Sequence, residues 1–489
     1  MLSLSTRSAP TPRLVLGGLV LAFCLVAVGL GYVISTGSPT PLLIAFVILC
    51  GLMLFLVPTW WAFLIYFTYS AFSPLFKYVA SYNMIVHLAP TFILAPILLR
   101  WLTNRSGGRG GDIAAIPAAG PVKAFAVLAC LMVFSPLTVP LIGLGGIISY
   151  VLPIVFFPLA FYELRITGRV QAFLALTVAL SLVGSALTLI FVALGPHGVA
   201  ALGPAFAQDA LNPGNVYFDA RGQNVGWFPL QVVSNVIGYM VALILLVALL
   251  ARGGAWSRGV SLVVTAPAAM LLATALIASG VRVTISGAAV GILVVGLVGR
   301  HRAVLPALVG ITFAGIVLNI VTGLTHGAGI VRFATLLDPA QALQSSNRTS
   351  LLQQIVPLAI DHPLGQGMGR VGPGAGDVIG ASGAAITRLG YDNMLLAIMS
   401  ELGVLGGILL VVIAIMFIAY EWRTYRGLTD PSLKSIALGC TAATIALTAT
   451  WIAGPTLMQA PGNIYYWALP GLCFALPYIE RDRAQRSQE

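Results

Sequence analysis

The sequence has little charge. Asp, Glu, Lys and Arg make up only 8% of its 489 residues, where a soluble domain carries about 25%. With 59% hydrophobic residues, a water-soluble fold of this length has too little polar surface to cover itself. The mean hydropathy of +0.99 points the same way, and the solvent along most of the chain must be lipid. Cysteines are few. Cys24, Cys50, Cys130, Cys440 and Cys473 each lie inside an apolar run. None has the spacing of a metal site or a disulfide framework, so they read as small buried hydrophobes. There is no nucleotide-binding loop and no soluble catalytic domain, which argues against ATP hydrolysis by this chain alone. There is no internal repeat, whereas transporters often carry two related halves.

What is present is a set of apolar runs. Fourteen candidate spans fall near 14–35, 41–57, 59–73, 83–101, 122–140, 143–163, 171–194, 229–251, 259–280, 283–299, 303–322, 391–420, 435–454 and 464–478. The third and tenth are short. The first follows Arg7 and Arg13 and lacks a small-residue cleavage site, so it is expected to be a retained helix rather than a signal peptide.

The net charge of +11 would suggest nucleic acid in a soluble protein. Here the positive residues sit in short loops between apolar runs. With the N-terminus inside, inner loops hold 18 of the 25 Lys and Arg residues. Lys77, Arg221, Arg282, Arg332, Arg348, Arg370 and Arg388 fall outside. That alternation is the positive-inside pattern, so no nucleic-acid partner is expected. The expected architecture is an all-α, polytopic transmembrane bundle of about 14 spans, forming one membrane domain over 1–489 with both termini in the cytoplasm. Two outer segments are long, 195–228 and the large loop 323–390 in the C-terminal third, and loops of that length are usually functional.

The residues able to do chemistry concentrate around the second loop. Arg282 stands at the outer mouth of a span, against the topological bias. A guanidinium there suits a phosphate, which it grips in a fork; the plainer alternative is an arginine snorkelling to headgroups. Arg348 opens an amphipathic segment, Arg348–Ile360, which Pro357 is expected to kink and Ser346 or Asn347 to cap. Arg332, Arg370 and Arg388 read as ordinary solvated loop charges, the last two also as supporting cations. Asp361-His362-Pro363 ends that helix before the glycine-rich stretch Gly365–Gly376, and His362 is a reserve catalytic base or simply part of a helix stop. Asp392 and Asn393 open the next long span. Asp392 is placed to cap that helix or to act as general base. Glu401 lies about two and a half turns deeper and needs a partner, for which Arg282 is the candidate. The acidic pair Glu480 and Asp482 reads as a solvated tail. No outer Asp-x-Asp pair of the sort a metal-dependent glycosyltransferase uses is present, so no metal or other cofactor is expected.

The order of these features, and the stretches RTSLLQQIVPLAIDHPLGQGMGRVG (Arg348–Gly372) and YDNMLLAIMSELGVLGGILL (Tyr391–Leu410), resemble the O-antigen ligase and polymerase superfamily of bacterial envelope polysaccharide enzymes. The resemblance implies a helical bundle with one large periplasmic loop, in the bacterial inner membrane among its lipids. It implies a glycan donor carried on undecaprenyl diphosphate, with Arg282 and Arg348 holding the diphosphate. Ligases of the family have a histidine where this chain has Asp392. The Asp-Asn pair is closer to exopolysaccharide polymerases, which usually work with a chain-length regulator protein. The expected function is therefore polymerisation of lipid-linked repeat units at the outer face by metal-independent, inverting glycosyl transfer of the GT-C-like membrane type. The alternatives are a ligase acting on lipid A core, a transporter of lipid-linked glycans, and a non-catalytic assembly partner.

Overall fold

The computed structural model describes residues 57–79, 94, 116–135, 138, 140–202, 216–218, 224–227, 236–251, 262–279, 281–299, 355–371, 393–452, 454, 456–458 and 460–488. The expected spans 14–35, 83–101 and 303–322 lie outside these residues apart from Leu94, as does 41–56. The chain divides into two compact units, 1–66 with 85–110, and 67–84 with 111–489. In the first, Ala62 and Phe63 are buried and Trp60 stacks on Phe63 at 5.9 Å. All candidate site residues belong to the second.

The helices are α1 (Thr59–Val79), α2 (Ala119–Val133), α3 (Pro140–Ile154), α4 (Phe156–Glu163), α5 (Thr167–Ala200), α6 (Val236–Ala251), α7 (Leu262–Ala278), α8 (Arg282–Gly299), α9 (Ile355–Asp361), α10 (Met394–Gly427), α11 (Pro431–Ala449) and α12 (Gly462–Arg486). Tight 3-10 turns at Thr450–Ile452 and Thr456–Met458 join α11 to α12. The expected 143–163 span is two helices, α3 and α4. Among the described residues the one departure from an all-α fold is an antiparallel hairpin of β1 (Val216–Phe218) and β2 (Asn224–Trp227), inside the segment expected as a loop.

By length and composition, four described helices can cross a bilayer: Thr167–Gly195, Arg282–Gly299, Met394–Gly427 and Pro431–Ile452. Their outward faces support that reading. Along α10, Leu405, Ile408, Val412 and Ile415 are exposed at intervals of three and four residues. A stripe of that period on one helix face suits hydrocarbon and not water.

Inside the second unit, small residues let helices approach closely, as in membrane bundles generally. A Cβ on Gly287 would lie 2.6 Å from the Met240 sulfur, and one on Gly291 would lie 2.4 Å from Ile244 Cδ1, so α8 fits tightly on α6. Gly471 presses α12 onto the Phe157 carbonyl of α4. Phe417 of α10 sits among Phe157, Tyr466, Trp467 and Phe474 with ring centroids 5.0–6.3 Å away. Offset and edge-on aromatic contacts of this kind add to burial. Thr188 and Tyr239 share a hydroxyl hydrogen bond of 2.9 Å between α5 and α6.

Glu480 stays near solvent, as expected of a tail, but it is bonded into the fold. Its Oε1 accepts from the Thr429 N–H, the Thr429 hydroxyl and the Asp430 N–H at 2.7, 2.8 and 2.6 Å. Asp430 caps α11 through the Ser432 and Leu433 amides and is bridged by Arg483 at 2.5 Å. A carboxylate that finds three donors in the turn between two helices is a clasp, and sequence separation of about fifty residues hides it.

Candidate active site

The site is built on a break in α10. Gly403 has φ 73° and ψ −174°, which no helical residue adopts, and divides the element into 394–402 and 404–427. Such a break leaves backbone groups without intrahelical partners, which a membrane protein tolerates only where other protein supplies them. The Asp-His-Pro-Leu-Gly turn supplies them here. The Val404 N–H donates to the Pro363 carbonyl at 3.0 Å, and the Gln366 N–H donates to the Ser400 carbonyl at 2.6 Å. A Cβ on Gly403 would lie 2.3 Å from the Pro363 oxygen. A side chain there would expel the turn.

The part after the break, 404–427, covers ~36 Å at the helical rise and is long enough by itself to cross a hydrocarbon core of ~30 Å. Glu401 lies in the segment before the break, about two turns after the start of α10 at Met394.

Glu401 is fully buried. Its Oε2 accepts from the Tyr150 hydroxyl at 2.5 Å and its Oε1 from the Val371 N–H at 2.6 Å. The Arg370 and Gly369 amides also bond to the carboxylate. The anticipated partner Arg282 is not among these groups; a tyrosine and a loop backbone take its place. Three successive amides can converge on one anion because Gly369 has a positive φ of 83°, the geometry of an anion-binding nest. Two more contacts fix the loop. The Met368 N–H donates to Thr138 Oγ1 at 3.0 Å, and Thr138 in turn donates to the Met132 carbonyl at 2.7 Å. Gly146 of α3 packs against Met368, where a Cβ would lie 2.8 Å from its Cγ. Residues 362–371 are thus clamped between α2–α3 and α10.

The other expected residues fall as follows. Arg282 is the first residue of α8 and is half-buried. Asn393 is the N-cap of α10, with Oδ1 accepting from the Leu395 and Leu396 amides at 2.9 and 3.1 Å and Nδ2 donating to the Ile452 carbonyl at 3.2 Å. The capping role considered for Asp392 belongs to its neighbour. The turn at Thr450–Ile452 also meets α8, since a Cβ on Gly287 would lie 3.0 Å from Thr450 Cγ2. Hence α8 and α10 begin at the same end of the bundle, on either side of one turn. His362 is exposed at the end of α9, its N–H bonded to the Leu358 carbonyl at 3.0 Å. Pro357 lies in the first described turn of α9, and the part of the expected helix before Ile355 lies outside the described residues. Arg370 is half-buried, and its Nη1 donates to the Gln366 carbonyl at 3.0 Å. Arg332, Arg348, Arg388 and Asp392 lie outside the described residues, as do Ser346 and Asn347. Among the described residues no cluster of His, Cys, Asp and Glu is placed to hold a metal ion.

Residues 267–411 match the O-antigen ligase family. The matched stretch begins in α7, takes in Arg282, Arg348, the clamped turn, Asp392 and Glu401, and closes just beyond the break at Gly403. It covers both segments that carried the resemblance to O-antigen ligases and polymerases. Together with the apolar helices, the match points to a multi-pass membrane protein in which residues 267–411 are similar to the O-antigen ligase family. Thr138 and Tyr150, which complete the clamp, lie upstream of the O-antigen ligase match. No curated protein matches the chain.

Proposed function

We propose that the chain is a glycosyltransferase that joins oligosaccharide repeat units carried on undecaprenyl diphosphate, at the outer face of the bacterial inner membrane. The observation that carries this reading is the O-antigen ligase match, because it spans every residue assigned a chemical role from sequence. The about fourteen spans, the large periplasmic loop 323–390 and the cytoplasmic termini belong to the same proposal.

The chemistry is a displacement. The acceptor hydroxyl oxygen attacks the anomeric carbon of the donor sugar, and its proton passes to Asp392. The bond from that carbon to the diphosphate oxygen breaks, and the lipid diphosphate leaves with the electron pair. Arg282 and Arg348 hold the leaving group and stabilise its charge as the bond lengthens, a task for which guanidinium forks are suited. Attack opposite the diphosphate inverts the anomeric centre. His362, exposed at the mouth of the clamped turn, is the reserve base.

Polymerisation is favoured over ligation by Asp392, which stands where ligases of the family carry histidine. The family description itself names a ligase, so transfer to lipid A core is the second reading. The test is a purified assay in lipid with undecaprenyl-diphosphate-linked repeat units and chelator, read as product size on a gel. A ladder supports a metal-independent polymerase. A single product with lipid A core as acceptor, and no ladder, supports the ligase. No product with either acceptor overturns both.

A further inference from the structure

The best-built polar device in the described molecule is the Tyr150–Glu401 contact and the three amides gathered on it. A fully buried carboxylate is costly unless hydrogen-bonded, and here every partner is supplied by α3 or by the loop. The Tyr150 ring is buried with its centroid 6.5 Å from that of Phe125, and its hydroxyl donates to Glu401. The device holds the backbone of 369–371, and the side chain in the middle of that tripeptide is Arg370. Its guanidinium is turned back over the same loop by the bond to the Gln366 carbonyl. Loop arginines are ordinarily rotamer-rich, and fixing one in advance lowers the entropy lost when it binds. A preset, half-buried arginine next to the turn that plugs the α10 break is a suitable third cation for an anionic leaving group.

We propose that Tyr150 and Glu401 are positioning residues that present Arg370 to the diphosphate of the lipid-linked donor. This rests on the glycosyl-transfer reading above for the identity of the ligand. Tyr150 and Glu401 touch no substrate; they act through the loop.

The test is a double-mutant cycle on binding of undecaprenyl diphosphate to the full chain in lipid nanodiscs, with Tyr150→Phe, Arg370→Ala and the double variant. Each single substitution is expected to weaken binding by about tenfold, and the double variant by little more than either alone, because residues acting in series are not additive. Additive losses, near a hundredfold in the double variant, would show that Tyr150 acts elsewhere and overturn the proposal. So would unchanged binding in Tyr150→Phe. A loss of thermal stability alone moves no term of the cycle. Should Tyr150→Phe not fold, Glu401→Gln takes its place, since it removes the charge that gathers the amides and keeps the shape. Wild-type protein that makes a polymer ladder while the cycle is additive sinks the positioning role alone. Wild-type protein that binds the diphosphate with a non-additive cycle, yet makes no glycan product, keeps the role and sinks the glycosyl-transfer reading. Wild-type protein that binds no lipid diphosphate overturns the proposal outright.

Discussion

Gly365 and Gly403 face each other across the break in α10: a Cβ on Gly365 would lie 2.7 Å from the Gly403 nitrogen, and one on Gly403 would lie 2.7 Å from the Leu364 carbonyl carbon. Neither backbone has room for even one more carbon. The turn and the helix break are therefore one structure, and each exists because of the other.

Gly403→Ala is accordingly expected to be strongly destabilising, by about 2–4 kcal/mol, through both the positive φ and the clash with Pro363. Thermal unfolding of the purified protein in lipid measures it. An unchanged midpoint would mean that the turn does not seat in the break.

Arg282→Ala and Arg348→Ala should each abolish polymer while leaving the protein in the membrane. Arg282→Lys should recover little, because an ammonium cannot form the bidentate fork. Gel analysis of polymer beside quantified membrane fractions tests this. Normal polymer length in the alanine variants would end the diphosphate-clamp assignment and support a non-catalytic role.

Asp392 and Asn393 should separate chemistry from architecture. Asp392→Asn keeps the shape and removes the base, so activity should fall with no change in melting temperature. Asn393→Ala removes the N-cap and orphans the Ile452 carbonyl, at a cost of about 1–2 kcal/mol. Melting curves and turnover for the two variants should show opposite patterns. Full activity in Asp392→Asn would move the base elsewhere, first to His362.

The Glu480 clasp predicts a pH effect. Burial pushes this carboxyl up, but the donors from Asp430 and Thr429 outweigh it and leave the group below its ordinary value of 4.5. A depressed carboxyl stabilises the fold above the unfolded value, and that contribution is lost as pH falls below 4.5 through the folded value. Solvent screening at this exposed position keeps the effect small. Glu480→Gln should flatten the acid limb of the melting-temperature profile relative to wild type. Identical limbs would show that the clasp carries no charge-dependent stability.

Much of the helical frame was legible in the sequence. Apolar runs predicted 283–299, 391–420 and 435–454, and the helices are Arg282–Gly299, Met394–Gly427 and Pro431–Ala449. Long hydrophobic runs announce themselves because lipid demands them. The clamp was not legible. Tyr150 meets Glu401 across 251 positions, and nothing local to either residue signals the other. The sequence assigned Glu401 an arginine because charge asks for opposite charge, whereas backbone amides met the need. Gly403 sat in a run that reads as continuous helix, and only the turn at Pro363 explains why glycine stands there. The Asp-Asn order marks a helix start, but which of the two caps it depends on side-chain geometry that the letters do not carry.

The clasp also bears on assembly. Thr429 and Asp430 are synthesised about fifty residues ahead of the carboxylate that bonds their turn. Until most of α12 has been made, that turn lacks its bonds to Glu480. Glu480 then closes the turn from α12 together with the Asp430–Arg483 bridge, adding a late tie to an α10–α11 pair already joined inside by the Thr444–Glu421 bond.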